Sequence, residues 1–94
     1  MKQSGNTCTT VIRTETAMEH GRTYRYSLFF CEGTHRTRLY SVRAELTGES
    51  GAHESAEVMD AFSDPAHALI FFSLCREHLV TPVHLEEILM DFEY

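Results

Sequence analysis

Two polar–proline signals punctuate the last third of this chain, and they constrain its fold more than any other feature. Ser63-Asp64-Pro65 precedes one apolar-periodic run and Thr81-Pro82 precedes a second. A short polar side chain can accept hydrogen bonds from the first free N–H groups of a helix. Proline fits the first helical position because its missing N–H has no partner there. The pattern predicts a helix over 64–79 and a second from 82 to the end of the chain. In the first, Ala68, Phe71, Phe72, Cys75 and Leu79 recur at the spacing of a buried face. His67, Leu74 and His78 widen that sector. In the second, Leu85, Ile88, Leu89 and Phe92 form one stripe, with Glu86, Glu87, Asp91 and Glu93 around it. Asp91 and Glu93 oppose the helix dipole, so the last turn is expected to fray.

The first half reads as strands. Residues 9–16 are rich in β-branched side chains. Along 22–32, Tyr24, Tyr26, Leu28 and Phe30 alternate with Arg25, Ser27, Phe29 and Cys31. Along 38–46, Tyr40, Val42, Ala44 and Leu46 alternate with Leu39, Ser41, Arg43 and Glu45. Turns are predicted at Glu19-His20-Gly21-Arg22 and Gly33-Thr34-His35. Residues 47–54 read as a polar loop. Residues 56–62 read as a fourth strand with Val58 and Phe62 inward, which also turns Asp60 inward, although their Ala, Glu and Met also suit a helix. The expectation is an α+β domain: an antiparallel sheet of three to four strands, followed by two C-terminal helices packed on one face. It occupies 8–94, behind a disordered tail at 1–7.

Charge is divided along the chain. Residues 1–46 carry seven basic and four acidic groups; residues 47–94 carry one basic and ten acidic. A +3 half and a −9 half favour pairing within one fold or across a dimer. The acidic half works against nucleic-acid binding. No apolar run is long enough to span a membrane, and residues 1–6 have no apolar leader core, so a cytoplasmic location is expected.

The histidines, cysteines and acids offer little chemistry. Cys8, Cys31 and Cys75 are far apart, with no paired spacing for a disulfide scaffold or a zinc knuckle. His67 and His78 sit ~16 Å apart along a helix, too far to share an ion. No metal, cofactor or enzymatic activity is expected. Two candidate sites remain. Arg25, Phe29, Leu39 and Arg43 share the outward sheet face, a composition typical of recognition surfaces. Asp60 and His84 form a possible polar site, although a histidine three residues after Thr81 can simply order the turn.

The segments Tyr24-Arg25-Tyr26-Ser27-Leu28 and Thr81-Pro82-Val83-His84-Leu85-Glu86-Glu87-Ile88-Leu89-Met90-Asp91-Phe92 resemble a small bacterial family known only as a domain of unknown function. In that family a YxYxL-type strand precedes a helix and a terminal TPVHL-type helix. The resemblance covers about 60 residues and implies no activity, cofactor or catalytic residue. It places an acid at Asp60, before the helix. The function expected is a non-enzymatic protein-interaction or regulatory module, homodimeric through apolar surface on the first helix (Leu69, Ile70, Leu74) and the sheet (Phe29, Leu39). The alternative is a small anionic-ligand domain using the Arg-bearing face.

Overall fold

The alternating runs form the strands they predict. In the computed structural model, which describes residues 9–32 and 38–92, β1 spans Thr9–Glu19, β2 Arg22–Glu32, β3 Arg38–Thr47 and β4 His53–Phe62. They pair in chain order as a four-stranded antiparallel meander. Residues 1–7, the 33–35 turn and the last turn at 93–94 lie outside the described residues. His20 and Gly21 close the β1–β2 hairpin with φ of 54° and 76°. Two successive positive φ values match the right-handed twist of the strands. A Cβ at Gly21 would also run into the Glu49 side chain. β1 and β4 are both longer than the sequence reading. Residues 47–54 shorten to a tight loop in which the Gly48 N–H donates to the Ala52 carbonyl at 2.9 Å.

One face of the sheet is the core. Tyr24, Tyr26 and Leu28 of β2, Tyr40, Val42, Ala44 and Leu46 of β3, and Val58 and Phe62 of β4 are buried there. Helix α1, Pro65–Glu77, closes over them with Ala68, Phe71, Phe72 and Cys75. Phe71 sits between Phe62 and Phe92, with ring centroids 5.3 Å from each. The buried Tyr26 hydroxyl donates to the Val80 carbonyl at 2.8 Å, tying β2 to the segment just beyond α1.

The helix ends depart from the sequence reading. Asp64 caps α1 as predicted, accepting from the Ala66 N–H at 2.7 Å. The helix stops at Glu77 rather than 79, because Leu79 turns left-handed at φ 49°. Val80 N–H then reaches the Cys75 carbonyl at 3.0 Å, and Leu79 N–H the Arg76 carbonyl at 3.4 Å. This is the Schellman closure, made with a leucine where glycine is usual, so no residue type announced it. The second helix is also shorter. Pro82–His84 make one 3₁₀ turn, and α2 proper runs only over Leu85–Asp91. Thr81 makes no side-chain cap; its hydroxyl meets His84 Nδ1 at 2.8 Å instead. Asp64→Ala is therefore expected to cost ~1 kcal/mol, the usual loss for a capping side chain, and Thr81→Ala clearly less. Thermal melts of the two variants side by side check the order.

Two irregularities interrupt the strand pairing. Between Val11 and Arg13 the β1–β2 register slips, so Ile12 is an extra residue. Between Tyr40 and Val42, Met59, Asp60 and Ala61 of β4 stand opposite Ser41 alone. Asp60 therefore does not point inward between Val58 and Phe62. It adopts φ 52°, its side chain is exposed, and its N–H donates to the buried Ser41 Oγ at 2.8 Å. The bulge removes the cost of an inward carboxylate, the penalty a regular strand would have imposed.

Candidate functional site: the sheet face opposite the helices

The helices cover one side of the sheet. The other side carries Thr23, Arg25, Ser27 and Phe29 of β2, Ser41, Arg43, Glu45 and Thr47 of β3, and Glu57 and His53 of β4. Antiparallel register places Arg25 beside Glu45 and Arg43 beside Glu57. Arg25 Nη1 lies 3.7 Å from Glu45 Oε1, and His53 Nε2 4.0 Å from Glu45 Oε2. The His53 ring meets Thr47 Oγ1 at 3.2 Å through Nδ1. Arg43 donates from both Nε and Nη2 to Glu57 Oε2 at 2.6 Å. A shallow depression is lined by Thr23, Arg25, Glu45, Thr47 and His53.

Of the predicted patch, Arg25 and Arg43 lie on this face as expected and Leu39 is half-buried. Phe29 corrects the expectation of an exposed aromatic: it is 2% exposed. The Arg43 guanidinium sits 5.2 Å from its ring centroid, so the cation and its alkyl stem roof the ring. The open apolar surface comes from other residues, of which Val11 and Met18 of β1 share this face as the register partners of Phe29 and Thr23. Val11, Ile12 and Met18 on β1, Met59 on β4, and Leu69, Ile70, Val83 and Met90 on the helical side are exposed, Met18 the most among the strand residues at 77%.

Asp60 and His84 are not joined by any hydrogen bond or ion pair among the described residues. Asp60 is fixed by its backbone to Ser41, and His84 by its ring to Thr81. Cys75 is fully buried, and burial pushes its thiol up to about 12, leaving it protonated at neutral pH. Among the described residues no three His, Cys, Asp or Glu side chains converge as metal ligands. No helix among them is long and apolar enough to cross a membrane.

Glu45, Thr47, His53 and Glu57 escaped the sequence reading. Glu45 and Glu57 carried charge complementary to Arg25 and Arg43, a signal that becomes usable once the strand register is known, and Thr47 and His53 gave none. Comparison with protein-family models, curated proteins and solved structures finds no match to this chain.

Proposed function

We propose that this chain is a non-enzymatic protein-interaction module that works as a homodimer. The observation that carries the interaction-module reading is a sheet clad by helices on one side only, whose other side presents Arg25 beside Glu45 and Arg43 beside Glu57. A small anion at either arginine would meet a carboxylate, Glu45 3.7 Å from Arg25 and Glu57 2.6 Å from Arg43. A protein surface of mixed charge can engage both signs at once without stripping either pair. This favours protein contact over the anionic-ligand alternative.

Sedimentation equilibrium across the micromolar range tests the reading. A dimer is expected, weakened by added salt to the extent that charge contributes. A monomer throughout, combined with heat on titrating inorganic phosphate that is lost in Arg25→Ala, would transfer the assignment to the ligand-binding alternative.

A further inference from the structure

The two outer strands of the sheet are not equivalent. β4 carries Glu54, Glu57 and Asp60 with no Arg or Lys, and its three-residue bulge opposite Ser41 breaks the run. Two copies of it would set like charges across an interrupted edge. β1 is different. Beyond the Ile12 bulge, Arg13–Glu19 forms an unbroken seven-residue run in regular register with Leu28–Arg22. Its far side is a row of backbone N–H and C=O groups that no strand of this chain pairs among the described residues. Such an edge is a template for a further strand unless it is blocked.

The charges on that run select its partner. Arg13, Glu15, Ala17 and Glu19 share the helix-bearing side of the sheet, opposite Leu28, Tyr26, Tyr24 and Arg22. When two copies pair antiparallel about a two-fold axis normal to the sheet, each residue faces a residue of the same side. An axis at Arg13 opposes arginines, and one at Glu15 opposes glutamates. An axis at Ala17 sets Glu15 against Glu19. An axis at Thr14 pairs Arg13 with Glu15 but carries the opposed strands into the Ile12 bulge, where the side-chain alternation breaks. An axis at Thr16 pairs all seven residues, sets Arg13 against Glu19 of the second copy twice, and opposes Thr16 to itself. Unlike charges and Thr–Thr contacts are both favourable cross-strand pairs. Glu15 then faces Ala17 and keeps its contact with Arg76, 3.5 Å away.

We infer that the occupant of the β1 edge is a second copy of this chain, joined antiparallel about Thr16 into one continuous eight-stranded sheet with both helical layers on the same side. The inference rests on the homodimer reading above and specifies its surface. It leaves the Arg25 and Arg43 face of both copies open on the opposite side, as one doubled surface.

The test uses the full chain with Cys8→Ser and Cys31→Ser, so that Cys75, enclosed in the core, is the sole native thiol. Adding Thr16→Cys places two thiols on the axis. Opposed Cα atoms in an antiparallel pair lie ~4.5–5.5 Å apart, within disulfide reach. Mild oxidation is expected to convert most of the chain to a covalent dimer, whereas the same treatment of Thr14→Cys leaves it largely uncrosslinked. Independently, Arg13→Glu is expected to weaken the dimer about tenfold, and Arg13→Glu combined with Glu19→Arg to restore it at unchanged net charge. Circular dichroism verifies that each variant is folded. A chain that sediments as a dimer but neither crosslinks through Thr16→Cys nor responds to Arg13→Glu overturns this edge while leaving the homodimer standing. Crosslinking through Thr14→Cys in its place overturns the register. A monomer at every concentration overturns both readings.

Discussion

Truncating Phe71 to alanine is expected to bring the domain to the margin of unfolding. Phe71 is fully buried at the centre of the core, between Phe62 on β4 and Phe92 beyond α2. Those two rings also touch edge to face, with centroids 5.8 Å apart. Its ring is the piece that couples α1, the sheet and the C-terminal segment. A buried Phe→Ala change costs ~3–5 kcal/mol, because the transfer free energy is lost and the cavity collapses only partly. Small domains have only ~5–15 kcal/mol in total. Urea melts at a fixed protein concentration should show the midpoint falling steeply with little change in slope. Phe92→Ala should follow in the same direction with a smaller loss, since Phe92 is only half-buried. An unmoved midpoint in Phe92→Ala would mean that the C-terminal segment is not docked on the core.

The second large effect is alkaline. Cys75 and Tyr26 are both fully buried. Burial pushes the Cys75 thiol up to about 12 from its ordinary 9.0. It also pushes the Tyr26 phenol well above its ordinary 10.0, with further upward contributions from Cys75 and Tyr24 and an opposing one from Arg76. Both groups hold their protons more tightly in the folded chain than in the unfolded one. Their contribution to stability is therefore complete below the unfolded values. It is lost as pH rises from about 9 for the thiol and about 10 for the phenol toward the folded values. Each group should lower stability by up to ~1.4 kcal/mol per pH unit within its window. Urea melts from neutral pH to about 12 should show this decline. Cys75→Ala should flatten it from pH 9 upward and Tyr26→Phe from pH 10 upward. The slope is the readout, because each substitution also has a cost at neutral pH. Tyr26→Phe, in particular, leaves the Val80 carbonyl without its donor. Identical slopes in the wild type and both variants would mean that these groups ionise without unfolding the chain.

The β2 and β3 alternation decided which side chains enter the core. The structure buries Tyr24, Tyr26, Leu28, Tyr40, Val42, Ala44 and Leu46 on the side where strict period two put them. The 3.6-residue stripe did the same for Ala68, Phe71, Phe72 and Cys75, and the Ser-Asp-Pro signal placed the start of α1. These are local properties. Side-chain direction follows from backbone period, and a cap acts within three residues of itself, so neither needs a distant partner to be read.

The features that were not legible all depend on contacts between segments far apart in the chain. Asp60 left the inward side because β4 has two more residues than β3 between their matched pairs, a count that exists only once the strands are in register. Leu79 took a left-handed turn without a glycine, since Val80 is drawn back to place its carbonyl on Tyr26. Phe29 is enclosed because Arg43, held by Glu57, lies over its ring, and Glu57 is fourteen residues further along. By itself the sequence determined the elements, the Asp64 cap of α1 and the composition of each face. The tertiary structure decided the register, and through it which charges are neutralised, which apolar surface stays open and which edge of the sheet is left to pair. Register is a relation between strands, set by the packing of the whole core.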